Sequence, residues 1–279
     1  MSNTLFSAKG CARCKITKNY MGENDIGFEE FDFKTEGKDV FNKFYRANRN
    51  QIFRDEDGVE FPIFTDGRVI RQGVSVVIGY LLAKDKLSGF IGRSLLHGQW
   101  IDGFNVSGGD PQFTDELITV LSYLKKSGLK TALSSNGRNS QILKKIVDDN
   151  LADRVTMNVC GPVELYPQLL GEKIGAEDIT DSIKQATRVS DYQFITAISP
   201  LVRTDGTVSY LTPEEVGSAA KMIEEVTGSK KHPYKLSLCN LSNLNNERLR
   251  EVNPLEPAAI LFKYRTAARR FMVMAEIEK

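Results

Sequence analysis

The spacing of apolar and polar positions changes period several times within the first 85 residues. Thr4-Leu-Phe-Ser7 is an apolar run of strand length, and Gly27-Phe-Glu-Glu-Phe-Asp-Phe33 alternates apolar with acidic residues, as a half-buried strand does. Between them a helix is predicted from Cys11 toward Tyr20, and Asp39–Asn48 reads as a second helix. After the polar loop Asp55-Glu-Asp-Gly58, the runs Val59–Phe64 and Arg68–Gly73 flank Thr65-Asp-Gly67 as strand, turn, strand. Val74–Lys84 then closes the series as a helix, so the predicted order is β-α-β-α-β-β-α.

A different rhythm follows. Asp85–Phe90 is a short connection, and Ile91–Asp102, with Arg93, His97 and Trp100, reads as a helix on which His97 is a packing or surface residue. From there strands and helices alternate: Phe104–Val106, Thr114–Ser127, Lys130–Leu133, Asn139–Asn150, Arg154–Val159, Val163–Leu170, Asp178–Val189, Tyr192–Ile198, Thr212–Thr227 and Tyr234–Leu238. Such alternation predicts a parallel sheet with helices outside it, here with five countable strands. The tail Pro257–Ile277 reads as one long amphipathic helix with Arg265, Arg269 and Arg270 on its basic face. The fold class is therefore α/β, with a first domain over residues 1–88 and a second over 89–279.

Composition narrows the chemistry. At 279 residues and 31.2 kDa the chain has room for two modest domains. Thirty-seven basic residues stand against 36 acidic, which argues against a dedicated nucleic-acid binder. No apolar run approaches the ~18–20 residues of a membrane span, and the first residues lack a signal-peptide pattern. A cytoplasmic protein with neither nucleic-acid nor membrane partners is expected. Four cysteines in a reducing compartment do not suggest a structural disulfide framework, and two of them sit in C-x-x-C, Cys11-Ala-Arg-Cys14.

A thiolate at a helix N-terminus faces unpaired N–H groups and the positive end of the dipole. With Lys9, Arg13 and Lys15 adding positive charge, the Cys11 pKa is expected to fall toward neutrality. Cys11 is then the attacking sulfur, and Cys14, one turn on, resolves the mixed disulfide. The element order with C-x-x-C at its first helix resembles glutaredoxin and the thioredoxin fold over about residues 1–85. Phe61-Pro62 matches that family's cis-proline position, and Gly73 its glycine before the last helix. The resemblance implies Lys9, Phe61 and Pro62 as substrate-binding residues, and a thiol/disulfide substrate or partner protein. Ala12 and Arg13 stand where glutaredoxins commonly carry proline and an aromatic, which leaves glutathione or a protein thiol open.

A second resemblance lies further on. Val106-Ser107-Gly108-Gly109-Asp110-Pro111 and Leu133-Ser134-Ser135-Asn136-Gly137 are similar to the second-strand and third-strand motifs of radical S-adenosylmethionine (SAM) enzymes. The glycyl-radical activases are the nearest in look, over roughly residues 90–245. The resemblance implies Gly108, Gly109 and Asp110 at the amino group of SAM, with Ser134 and Asn136 near its carboxylate or ribose. The chain departs from the pattern in having no C-x3-C-x2-C and no recognisable first barrel strand. The expectation is thus a thiol–disulfide oxidoreductase, a thioredoxin-like fold followed by a truncated parallel (β/α) partial barrel, whose barrel keeps a place for SAM or a related ligand. One alternative is an activase-like enzyme with a 4Fe-4S cluster held by Cys11, Cys14 and Cys160 or Cys239, the last two following predicted strands. Another is a non-enzymatic SAM-sensing or scaffold protein. The edge left open at Phe104–Val106 is expected to be covered by the glutaredoxin-like part.

Overall fold

The computed structural model describes residues 3–56, 58–244, 246–255 and 257–278, the first three residues of the last helix by backbone alone. Residues 1–131 and 132–279 form two compact units.

The first unit opens with β1 (Thr4–Ser7), α1 (Ala12–Glu23), β2 (Glu29–Asp32), α2 (Lys38–Ala47) and the short pair β3 (Arg54–Asp55) and β4 (Gly58–Val59). β5 (Ile63–Thr65), β6 (Ile70–Gln72) and α3 (Val74–Ala83) follow. Four of these strands form one sheet in the order β2-β1-β5-β6, with β2 parallel to β1 and β5 antiparallel to it. Successive residues of a strand face opposite sides, and β1 and β5 show it directly. Leu5 and Phe64 join Met21 of α1 and Val77 and Tyr80 of α3 in one apolar cluster. Phe6 and Ile63 join Phe41 of α2 and Ile52 in the other. Two helices thus cover one face and one the other, which is the thioredoxin-like arrangement, with the β-α-β-α-β-β-α order as expected from the sequence.

The stretch Ile91–Asp102 is not the helix its apolar spacing suggests. Residues 92–97 are irregular, and β7 runs over Trp100–Asn105, starting four residues before the predicted strand. Its segment before the strand is organised by Asp102, whose Oδ1 accepts from Ser94 Oγ at 2.7 Å, Leu95 N at 2.6 Å and Leu96 N at 3.1 Å. One carboxylate that satisfies successive loop donors outcompetes helical pairing there. One edge of β7 is taken by residues 90–92: Gly92 N donates to Gly103 O and Asn105 N to Phe90 O, both at 2.8 Å, around an antiparallel Ile91–Phe104 bridge. Gly103 has φ +85° inside the strand, and a Cβ there would lie 2.6 Å from the carbonyl oxygens of Gly92 and Arg93. The open edge is therefore covered, by the connection itself. α4 (Thr114–Lys126) follows, and it packs on α1 through Tyr123, whose ring meets Tyr20 edge-on at 4.9 Å.

β8 (Lys130–Ser135) leads into the second unit, where α5 (Ser140–Asp148), β9 (Arg154–Asn158), α6 (Tyr166–Leu170), α7 (Ala176–Ala186) and β10 (Asp191–Ile198) follow. The hairpin β11 (Pro200–Val202) and β12 (Val208–Tyr210), α8 (Pro213–Thr227), β13 (Tyr234–Leu238), α9 (Glu247–Arg250), α10 (Pro257–Arg269) and β14 (Ala275–Ile277) complete it. Within this unit strands run parallel in the order β14-β13-β10-β9-β8. Val155, Met157, Phe194, Thr196, Tyr234 and Leu236 are buried on alternate positions, while their neighbours stay half-buried. α8 starts on a reciprocal cap, Thr212 Oγ1 accepting from Glu215 N and Glu215 from Thr212 N. The tail is not one helix. α10 ends at Arg269, and β14 pairs parallel with β13, because buried Met272 and Ala275 anchor the chain there. Three residues of strand carry no periodicity of their own.

Candidate active site

The loop Ala8–Cys11 turns on a Cys11 N to Ala8 O bond of 3.0 Å and delivers Cys11 to the N-cap of α1 in extended conformation. There its sulfur accepts from Cys14 N at 3.0 Å, the donation that a capping side chain normally receives. Cys11 and Cys14 are joined as a disulfide with Cα atoms 5.3 Å apart. The two sulfurs are not equivalent: Cys11 is partly exposed, whereas Cys14 is only 1% exposed. The Phe61–Pro62 peptide is cis, and Cys11 Sγ lies 3.9 Å from Phe61 O. The Phe61 ring stacks on Phe33 with centroids 4.9 Å apart. Cys11, Cys14, Phe61 and Pro62 thus stand together, and Lys9 is exposed in the turn before them.

Arg13 plays a part that the sequence did not disclose. Its guanidinium pairs with Glu60 at 3.0 Å and donates to Leu96 O at 2.6 Å and Trp100 O at 2.7 Å, with side-chain exposures of only 12% and 14% for the pair. Burial pushes the Glu60 carboxyl above its ordinary range, and Arg13, Arg93 and His97 pull it back. The charge of Arg13 is spent on Glu60 and on two carbonyls, so it binds the C-x-x-C turn to the segment before β7. The only sequence signal for this was an arginine between the cysteines and an acid just before Phe61-Pro62.

The Ser107–Asp110 turn has a use inside the fold. A Cβ on Gly109 would collide with the Phe90 ring, and one on Gly108 with Gly89 O. The close approach that paired glycines allow is taken by the chain's own residues 89–90. Asp110 caps the single 3-10 turn after it, accepting from Gln112 N at 3.0 Å and Gln112 Nε2 at 2.5 Å. In the second unit, Ser134 lies near the end of β8, and Asn136 Oδ1 accepts from Arg138 N at 3.2 Å.

The remaining cysteines differ in setting. Cys160 follows β9 and is buried, its N–H donating to Tyr166 Oη at 3.3 Å, and burial pushes its thiol up to about 12. Cys239 follows β13, half-buried, with its N–H donating to Ile198 O at 3.2 Å. Among the described residues no group of three or more His, Cys, Asp or Glu is placed to hold a metal ion.

No protein-family model matches the chain, and no curated protein matches it. Among solved structures, the chain is similar to NrdH-redoxin from Escherichia coli, a glutaredoxin-like protein described as having a thioredoxin-like activity profile. The identity is 24%, over 26% of this chain and 84% of that one, with a TM-score of 0.21. The likeness is weak and partial, and none of it bears on the radical SAM resemblance. Among the described residues no helix is long and apolar enough to cross a membrane.

Proposed function

We propose that the protein is a thiol–disulfide oxidoreductase whose working pair is Cys11 and Cys14. One observation carries this reading: the disulfide at the start of α1 has one reachable sulfur and one sealed sulfur. In the reduced form the Cys11 thiolate attacks one sulfur of a substrate disulfide. A Cys11–substrate bond forms, and the first substrate thiolate leaves. Cys14 then gives up its proton and attacks Cys11 Sγ, which re-forms the internal disulfide and releases the second substrate thiolate, to be protonated from water. Two electrons pass to the substrate, and an external dithiol must restore the pair. The helix N-terminus favours the anion in the first step. The proximity of Cys14, one turn away, makes the second step intramolecular.

The test is reduction of a small aromatic disulfide by the prereduced protein, followed by mass spectrometry. Wild type should turn over, Cys11→Ser should be silent, and Cys14→Ser should accumulate a mixed disulfide on Cys11. Full turnover in Cys11→Ser, or an adduct found on Cys14 instead, refutes the assignment.

A further inference from the structure

Beside the reactive sulfur, the first unit carries a groove that a redoxin-like fold alone does not have, because one of its walls is α4. It measures about 420 Å³ and is lined by Ala12, Lys15, Ile16, Asn19 and Glu23 of α1 and by Tyr123, Lys126 and Ser127. Its floor is fixed, since Tyr123 Oη donates to Ile16 O at 3.4 Å and its ring packs on Tyr20. It begins at the residue after Cys11. Of its lining residues, Lys15 and Lys126 have no ion-pair or hydrogen-bond partner among the described residues, and neither has Lys9, exposed in the turn before Cys11. Their neighbours are treated otherwise: Arg13 is spent on Glu60, and Lys18 pairs with Glu30 at 2.9 Å. Two unpaired cations, Lys15 and Lys126, thus line the groove, with one carboxylate, Glu23, beside them.

We propose that this groove seats an acidic polypeptide segment bearing the disulfide that Cys11 attacks. The inference rests on the oxidoreductase reading above and names its substrate class. From Ala12 to Asn19 a helix rises about 10 Å, which an extended peptide spans in about three residues. The acidic residues should therefore lie within about three or four residues of the substrate cysteine, close to Lys15 and Lys126. A substrate as small as a tripeptide disulfide reaches only the mouth. Charges of this kind act mainly on encounter rate and lose their influence as salt screens them.

The experiment uses the full chain, prereduced, with three synthetic nonapeptides that share one C-x-x-C disulfide and carry flanking Asp, Ser or Lys residues. A small aromatic disulfide serves as the uncharged reference. At low ionic strength the Asp peptide should be reduced at least about fivefold faster than the Lys peptide in kcat/KM, as two exposed ion pairs allow. The ratio should fall toward one as salt rises. In Lys15→Glu/Lys126→Glu the ratio within that variant should drop to one or invert; wild-type salt dependence tests the same point without any substitution. Turnover of the reference disulfide with equal rates for the three peptides overturns the acidic-substrate inference alone. No turnover of any disulfide overturns the oxidoreductase reading and this one with it.

Discussion

Two short motifs of the first unit invite comparison, Cys11-Ala-Arg-Cys14 and Ser107-Gly-Gly-Asp110. Both are turns that lead into a helix, and both suggest a backbone shaped to meet a ligand. In the first, the motif's own chemistry is left partly exposed: Cys11 is half-buried and bonded to Cys14, which is buried. In the second, the special feature is consumed internally, since the space beside the glycines is filled by Gly89 and Phe90 and the carboxylate caps its own turn. The difference teaches that a glycine pair testifies to close approach, and the identity of what approaches has to come from elsewhere.

The contrast can be broken by substitution. Cys11→Ser should bring disulfide reduction to the background rate while leaving the folded state intact by circular dichroism; retained activity would erase the distinction. Arg13→Ala comes next, leaving Glu60 buried without its ion-pair partner at an expected cost of about 3 kcal/mol in denaturant unfolding. This loss should depend on pH. Burial already holds the Glu60 carboxyl above its ordinary range, so the folded state keeps the proton longer than the unfolded chain does. Such a group is most favourable at pH below its unfolded value and weakens the fold as pH rises through the folded one. Removal of Arg13 raises that pKa further, so the penalty should be largest near pH 8 and shrink toward pH 4; a pH-independent penalty would mean that Glu60 is not the cause.

Gly109→Ala should cost about 2–3 kcal/mol through overpacking against the buried Phe90 ring. Asp110→Ala should cost about 1 kcal/mol or less, as a lost cap does. If Asp110→Ala instead abolished an activity at unchanged stability, the turn would be a ligand site and the comparison would reverse. The smallest change is one of order rather than size. In the reduced protein Cys11 should alkylate before Cys14, and Cys160, buried with its thiol pushed up to about 12, should react only on unfolding.

Much of the first unit was legible because each element carried its own signal. Strand alternation at 27–33, the Thr65-Asp-Gly67 turn and C-x-x-C before a helix are all local. The stretch 91–102 was misread for a physical reason: Ile91, Leu95 and Leu96 with Trp100 imitate a helical stripe. Gly92, Gly98 and the donors gathered by Asp102 overrule it. β14 was missed because a helix with basic residues toward its end gives no notice of a three-residue strand six positions later. The Arg13–Glu60 pair left only a faint mark, an arginine between the cysteines and an acid before Phe61-Pro62, which does not join the two. Its members are 47 residues apart, and only the placement of β5 beside β1 brings them within reach.

The antiparallel strap at Phe90–Gly92 has a consequence for the behaviour of the protein in concentrated solution. A bare strand edge is a template on which a second copy can add, and repeated addition leads to fibres. The strap occupies the backbone groups of Gly103 and Asn105 on that side of β7. It is also too short to extend the ladder, because the chain turns away at once into the loop gathered by Asp102. Three residues of connecting chain thereby act as a stop codon for sheet growth.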